Sequence, residues 1–270
     1  MWPSRIARSA LPVVAVAVGL AAIGVNPGRA QAPAGDIEAA VKDYFANHPE
    51  GARRVVKDYL VRHPEVLREA VAERKQRTDR AALISSKAFA LFNSGKHMLV
   101  GNPKGDVTLV EFVDYNCGYC RRALRDMVDL VKSDANLKLV LMQHPVLGAG
   151  SVEAARVAIA LQMQDRNPAK YFEFHSKLMA GPGPANKARA LAVAAELGAD
   201  VARLEADLAR AEIEATLEEG KKIARALGIR GTPSYVVCDR IVGGFVGPAL
   251  KGIVAAARQA QQDGGTRCEV

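Results

Sequence analysis

The chain has 270 residues, of which 49% are hydrophobic and 24% are charged. This length and composition suit a folded protein with one good-sized domain and a smaller one. The net charge of +8 comes from 37 basic and 29 acidic side chains that alternate along the chain. Because the basic residues form no single stripe, the charge argues against a nucleic-acid-binding protein.

Residues 1–32 have the pattern of a secretory signal peptide. Two arginines precede an apolar run from about residue 10 to residue 25, and Ala-Gln-Ala at residues 30–32 has the small-x-small form of a cleavage site. A retained membrane anchor is the alternative, but the run is shorter than the ~20 residues that a spanning helix needs. We expect cleavage after Ala32 or Ala30 and export to the periplasm, where disulfides persist.

A repeat follows the predicted signal peptide. KDYFANHPE at residues 42–50 recurs as KDYLVRHPE at residues 57–65. Proline and glutamate both suit the first turn of a helix, so each His-Pro-Glu predicts the end of one helix and the start of the next. We predict a helical N-terminal stalk and connector over residues 36–95, in which the charged ERKQRTDR at residues 73–80 is a solvent-crossing helix or a flexible joint.

The stalk helices carry apolar faces at i, i+3, i+4 and i+7 spacing. Their larger members are Tyr44, Phe45, Val55, Val56, Tyr59, Leu60, Val66 and Leu67. Each such side chain contributes ~1.5–3 kcal/mol when it is fully buried, and the segment is too small to bury them in a core of its own. Packing onto the rest of the same chain is one solution. The charged connector favours the other, a homo-oligomer, either a trimer or a dimer.

From residue 97 the pattern becomes that of an α/β protein. HMLVG and VTLVEFVDY predict strands, CRRALRDMVDLVKSD predicts a helix, and LKLVLMQHPVL predicts a buried strand. An alanine-rich helical stretch at about residues 150–228 comes next, and GTPSYVVCD, IVGGF and a final helix follow it. These elements predict a four- or five-stranded sheet with a helical insertion, in a domain over residues 96–263 followed by a tail over residues 264–270.

Cys117 and Cys120 lie directly after a predicted strand and open a predicted helix. A CxxC in a βαβ unit is typical of a thioredoxin-like redox site. A structural zinc site needs four ligands, usually from two such pairs, and a purely structural disulfide would close a loop too small to stabilise much. The motif therefore predicts a redox pair, with no bound metal and no cofactor.

Three further motifs accompany the CxxC. They are Phe112-x-Asp114-Tyr115 before it, HPVLG at residues 144–148, and Gly231-Thr232-Pro233. Together with the inserted helices they resemble the DsbA-like thiol:disulfide oxidoreductases of bacterial envelopes over roughly residues 97–260. The YF/YL…HPE helices resemble the stalk of members related to suppressor of copper sensitivity protein C. The resemblance implies a thioredoxin fold with an inserted helical subdomain, preceded by a helical stalk.

The two cysteines have different predicted roles. At the start of a helix, free N–H groups and the helix dipole stabilise a thiolate on Cys117, which is the predicted attacking cysteine. Cys120, one turn further in, resolves the mixed disulfide. The resemblance implies that Glu111 is a buried acid that moves the proton of Cys120, with a pKa raised by desolvation. It also implies that Thr232-Pro233 is a cis-proline loop that binds substrate backbone.

Cys238 and Cys268 remain outside the CxxC. An even number of cysteines in an oxidising compartment suggests a disulfide framework. We therefore predict a structural disulfide between Cys238 and Cys268 that ties the C-terminal tail to the strand after Pro233.

These features predict a periplasmic protein disulfide isomerase or oxidase. Its partners would be protein thiols and disulfides, a membrane redox protein that recycles the CxxC, and further copies of the same chain. Gly118-Tyr119 and the threonine before Pro233 resemble the pairing found in isomerases. Two alternatives stay open, namely a Cu(I)-binding protein that uses the same thiolates and a holdase chaperone that uses the apolar faces of the stalk.

Overall fold

The computed structural model describes residues 34–93 and 95–264, and the chain divides into two compact units. The first unit ends at Leu67 and the second begins at Arg68. The predicted signal peptide over residues 1–32 lies outside the described residues, so its cleavage stays a prediction. In the two ranges that the structure describes, no helix combines the length and the apolar character needed to cross a membrane.

The described part of the first unit is helical. Helix α1 spans Ala34–Asn47 and α2 spans Pro49–Arg62. Helix α3, Pro64–Ser86, begins in the first unit, and most of it belongs to the second. The two histidines of the repeat lie between successive helices, and each following proline is the first residue of a helix, as the repeat predicts. Helix α2 has no buried residue. Val55, Val56, Tyr59 and Val61 are exposed and Leu60 is half-buried in the single chain.

The second unit contains a five-stranded sheet. Its strands are β1 (Met98–Gly101), β2 (Val107–Val113), β3 (Leu137–Gln143), β4 (Ser234–Val237) and β5 (Arg240–Gly243). They are ordered β1-β3-β2-β4-β5, with β2 and β3 parallel and the other pairs antiparallel. Every residue of β2 and β3 is buried, as expected of central strands whose two faces are both covered.

Seven helices accompany this sheet. Helix α4 (Gly118–Ser133) connects β2 to β3, and α10 (Ala249–Gln262) follows β5. Five helices lie between β3 and β4, which confirms the inserted helical subdomain. They are α5 (Ala149–Gln164), α6 (Pro168–Ala180), α7 (Lys187–Glu196), α8 (Val201–Asp207) and α9 (Ala211–Ala226).

The two faces of the sheet contribute to two separate cores, because successive side chains of a strand point in opposite directions. Leu109 and Val113 of β2 belong to the larger core, which includes Met127 of α4 and much of the helical subdomain. Val110 and Phe112 belong to the smaller core on the other face. Glu111 shares the face of Leu109 and Val113, so its side chain lies on the α4 side of the sheet.

The range predicted as stalk and connector, residues 36–95, includes side chains that are buried against the sheet. Helix α3 continues through the charged segment at residues 73–80, and a short π-helix, Phe89–Asn93, follows it. Ile84, Leu91 and Phe92 are buried in the smaller core. Their spacing places them on one side of a helical segment, where they pack in the core of the second unit. The charged segment before them gives no sign of this packing in the sequence.

Candidate active site

The two cysteines of the CxxC lie at the start of α4, beyond the C-terminal end of β2. Cys117 is the N-cap of α4, and its Sγ accepts a hydrogen bond from the backbone N–H of Cys120 at 3.4 Å. Both cysteines are free thiols, and both are buried, with exposed fractions of 6% and 2%. Exposure alone therefore does not distinguish them. The N-cap position does, because only Cys117 receives the N–H groups and the dipole of the helix start.

Thr232 lies against Cys117 although 115 residues separate them. The Sγ–H of Cys117 donates a hydrogen bond to the Thr232 carbonyl oxygen at 3.1 Å, and the Thr232-Pro233 peptide bond is cis, as predicted. The loop enters β4, which pairs antiparallel with β2, and this pairing brings the loop to the same end of the sheet as the CxxC.

Glu111 is buried in the middle of β2, between Leu141 of β3 and Tyr235 of β4. Burial raises the pKa of this carboxyl to about 8, the direction expected from desolvation. Burial also raises the pKa of the Cys120 thiol, and the negative charge of Glu111 raises it further. The thiol of Cys120 is therefore protonated at neutral pH, and the nearby Glu111 carboxyl exchanges a proton in that pH range.

Asp114 anchors the loop that follows β3 to the turn before Cys117. One of its carboxylate oxygens accepts a hydrogen bond from the backbone N–H of Asn116 at 2.8 Å. The other accepts from the N–H groups of Val146 and Leu147 at 2.8 and 3.0 Å. The side chains of Val146 and Leu147 remain exposed, so this anchor fixes an apolar surface beside the CxxC.

A second apolar surface involves Tyr119, whose exposed fraction is 58%. The guanidinium carbon of Arg122 lies 5.3 Å from the centroid of the Tyr119 ring and 5.6 Å from that of Phe245. Both distances fit cation–π contacts. The sequence signals neither Arg122 nor Phe245 as part of the site, because Phe245 lies in the loop between β5 and α10, far away along the chain.

The remaining predicted site residues are Cys238 and Cys268. Cys238 is disulfide-bonded and begins the short turn between β4 and β5 with a φ of +53°. Cys268 lies outside the described residues, so the Cys238–Cys268 bridge stays a prediction.

We expect the Cys238–Cys268 bridge to survive mild reduction that opens the Cys117–Cys120 pair. A structural disulfide is thermodynamically resistant to reduction, whereas a catalytic one is labile. Alkylation at increasing dithiothreitol concentration followed by peptide mass mapping measures the order of opening. Free thiols at positions 238 and 268 in air-oxidised protein would contradict the assignment.

Two protein-family models match the chain. The DSBA-like thioredoxin domain matches residues 108–254, a range that includes the CxxC and Thr232-Pro233. The Copper resistance protein ScsC N-terminal domain matches residues 53–81, within the predicted stalk and connector. A curated relative, the Na(+)/H(+) antiporter NhaA of Herminiimonas arsenicoxydans, is 28% identical over 161 residues. That match covers 59% of this chain, and the chain spans 25% of the antiporter.

Several solved structures are similar to this one. A thioredoxin-like oxidoreductase from Silicibacter pomeroyi is 44% identical, with a TM-score of 0.60 over 64% of this chain and 98% of that chain. A linker-deletion mutant of Proteus mirabilis ScsC is 24% identical, with a TM-score of 0.62 over 80% and 97% of the two chains. The thiol-disulfide exchange protein alpha-DsbA2 from Wolbachia pipientis is 23% identical, with a TM-score of 0.62 over 69% and 98%.

The family match covers more than half of the chain and contains the cysteine pair, the proline loop that contacts Cys117 at the end of the sheet, and the buried acid within β2. The first of the similar structures is covered almost completely and shares 44% of its residues. The chain therefore belongs to the DSBA-like thioredoxin-domain family of thiol–disulfide oxidoreductases.

Proposed function

We propose that the protein is a periplasmic disulfide isomerase and oxidase that acts on protein substrates as a homo-oligomer. The observation that carries the catalytic part is the position of Cys117, the N-cap of α4, with its thiol 3.1 Å from the Thr232 carbonyl oxygen. The N-cap position exposes one of the two buried thiols to the N–H groups of a helix start, which stabilise its thiolate. The Thr232 carbonyl oxygen accepts a hydrogen bond from the protonated thiol.

Isomerisation begins when the Cys117 thiolate attacks a disulfide of a misfolded substrate. A Cys117–substrate disulfide forms and one substrate cysteine leaves as a thiolate. That thiolate attacks a second substrate disulfide, and a substrate thiolate finally displaces Cys117. No net oxidation occurs, and Cys117 returns to its reduced form.

Cys120 releases a substrate that remains bound to Cys117 as a mixed disulfide. Its thiol transfers a proton to the ionised form of Glu111, which is the minor form at neutral pH because the pKa of this carboxyl is about 8. The Cys120 thiolate then attacks the Cys117 Sγ and releases the substrate cysteine in reduced form. The protein is left with a Cys117–Cys120 disulfide, which a membrane redox partner reduces. In oxidase turnover the same exchange runs in reverse and the partner reoxidises the pair. The raised pKa of Cys120 makes a proton acceptor necessary, and the electrostatic interaction between Glu111 and Cys120 supports Glu111 in that role.

The substrate would lie along the Thr232-Pro233 loop, between the exposed side chains of Tyr119 on one side and of Val146 and Leu147 on the other. Exposed apolar side chains around a reactive thiol suit unfolded polypeptides, which present apolar residues without a fixed shape. The signal-peptide pattern of residues 1–32 supports a periplasmic location, where substrates with disulfides occur.

The stalk supports the homo-oligomer. In the single chain, Val55 and Tyr59 of α2 have exposed fractions of 59% and 49%, and α2 buries no residue. Apolar side chains repeated along one helix face indicate a partner surface. We assign a second and, in a trimer, a third copy of the same stalk as that partner, through residues 36–72.

We expect a Val55→Glu/Tyr59→Glu variant to be monomeric and to lose at least tenfold of the isomerase activity while it keeps the oxidase activity. Each buried carboxylate would cost several kcal/mol in the assembly, and a monomer cannot hold a misfolded substrate between two sites. Sedimentation equilibrium gives the mass, and reactivation of scrambled ribonuclease and oxidation of a reduced peptide give the two activities.

Lys57→Glu is the matched control, because it adds the same side chain to α2 but leaves the apolar positions intact. Substitution is a better test than truncation at residue 95, which would remove Ile84, Leu91 and Phe92 from the smaller core. If the wild-type chain is itself monomeric, the oligomer is excluded and an oxidase working as a monomer replaces it. Chaperone activity that survives loss of Cys117 and Cys120 would favour a holdase.

A further inference from the structure

Asn116, the residue before Cys117, connects the turn that carries the reactive thiol to the inserted helical subdomain. Its Nδ2 donates hydrogen bonds to the Ser151 Oγ at 3.0 Å and to the Ala185 carbonyl oxygen at 2.8 Å. Its Oδ1 accepts a hydrogen bond from the Ala185 N–H at 2.7 Å. The side-chain amide therefore pairs with both backbone groups of one residue, in the manner of two peptide groups in a sheet.

This double pairing requires the chemistry of asparagine. One side chain must present a donor and an acceptor side by side, which only the amides of Asn and Gln do. A carboxylate would place an oxygen against the Ala185 carbonyl oxygen, and an apolar side chain would leave both backbone groups of Ala185 unpaired. Ala185 is fully buried, so unpaired groups there would have no water to replace the lost partner.

The segment to which Asn116 is hydrogen-bonded is held in place by further contacts. Ala185 directly follows the Gly-Pro-Gly-Pro run at residues 181–184. Arg189 connects this run to α6, because its Nη1 donates to the Gly183 carbonyl oxygen at 2.6 Å and its Nη2 donates to the carbonyl oxygen of Leu178 in α6 at 2.7 Å. The turn before Cys117 is thus attached to a fixed part of the helical subdomain.

We propose that Asn116 is a positioning residue for Cys117. The proposal rests on the proposed function, in which Cys117 is the attacking thiol. The Cys117 Sγ lies 3.4 Å from the Cys120 nitrogen and 3.1 Å from the Thr232 oxygen, and both contacts depend on the orientation of the turn. Asn116 fixes that orientation from the helical subdomain, so the insertion takes part in setting the reactivity of the thiol.

The test is an Asn116→Leu variant, which keeps the approximate size of the side chain and removes its donor and acceptor. The readout is the rate constant for alkylation of Cys117 by iodoacetamide in the reduced protein, followed across pH by peptide mass mapping. At pH 7 we expect the rate constant to fall about tenfold, the factor that corresponds to loss of one or two buried hydrogen bonds.

Asn186→Ala is the matched control. Asn186 caps α7 through a hydrogen bond from the Arg189 N–H at 3.0 Å, so its loss weakens the same region without touching the turn of Cys117. We expect this variant to have a lower Tm and an unchanged alkylation profile. Ser151→Ala removes one of the three Asn116 contacts and should slow alkylation about threefold, which keeps the test decisive if Asn116→Leu does not fold.

The outcomes separate the two proposals. If the wild-type Cys117 reacts no faster than Cys120, the proposed function fails, whatever the variants do. If the wild-type Cys117 is the reactive thiol but both variants follow the Asn186→Ala control, then Asn116 only stabilises the fold and the positioning role is overturned.

Discussion

A Cys120→Ser variant is expected to accumulate mixed disulfides on Cys117, and a Cys117→Ser variant is expected to form none. Cys117 has the N-cap position that stabilises a thiolate, whereas Cys120 is a protonated thiol one turn further into the core. Without Cys120 no internal thiol can displace the bound substrate. Non-reducing electrophoresis of periplasmic extracts, followed by peptide mass mapping, measures the amount and the position of the adducts.

The control is a Cys117→Ser/Cys120→Ser double variant, which distinguishes disulfide-linked complexes from tight noncovalent binding. The adducts of the single variant should also disappear on addition of a reductant. Adducts formed to the same extent on Cys120 in the Cys117→Ser variant would show that the two thiols are equivalent, and the assignment of the attacking cysteine would then be wrong.

A Glu111→Gln variant is expected to be more stable than the wild type at pH 8 and to lose that advantage below about pH 4.5. Burial raises the pKa of Glu111 from 4.5 to about 8. Between these values the folded state holds a proton that the unfolded state has lost, so the stability of the wild type falls as the pH rises. Above pH 8 the wild type has lost on the order of 5 kcal/mol of its free energy of unfolding. Gln does not ionise, so the variant does not lose this stability.

Urea denaturation of both proteins at pH 4, 6 and 8 measures this difference. Any change due to the new amide group alters the free energy of unfolding of Glu111→Gln equally at each pH. The way in which the difference between the two proteins varies with pH therefore reports the ionisation of Glu111 alone. Two parallel curves would contradict the raised pKa of Glu111.

The same variant tests the catalytic role of the carboxyl. Since Gln accepts no proton, release of a preformed Cys117 adduct by Cys120 should slow about 100-fold. Alkylation of Cys117 should remain unchanged.

The parts of the site that the sequence predicts are those with a local signature. A CxxC between a strand and a helix and a proline at a strand entry are each visible in a few residues. The resemblance to the DsbA-like family adds the roles of Glu111 and of the Thr232-Pro233 loop. The fold class follows from the order of such segments. The structure adds that β2 is the strand that joins them, since it carries Glu111 and pairs with the strand that Pro233 precedes.

The parts that the sequence does not predict depend on contacts between distant segments. Asn116 is an ordinary turn residue until the fold brings Ala185 beside it, and Phe245 joins the site through Arg122. The burial of Ile84, Leu91 and Phe92 is likewise invisible in the sequence, because these few apolar residues follow a long charged segment. Their partners lie in the strands and in α9, which become neighbours only in the folded domain.

The hydrogen bond from the Cys117 thiol to the Thr232 carbonyl oxygen exists only while Cys117 carries a proton. In the disulfide and in the thiolate the sulfur has no hydrogen to donate, so the carbonyl oxygen loses this partner in both forms. Under the proposed function these are the two forms of Cys117 that react with a substrate, and in both the carbonyl oxygen is available to the N–H of a polypeptide. Only the protonated resting thiol covers this acceptor, so protonation of Cys117 would block the nucleophile and the backbone position before Pro233 at the same time.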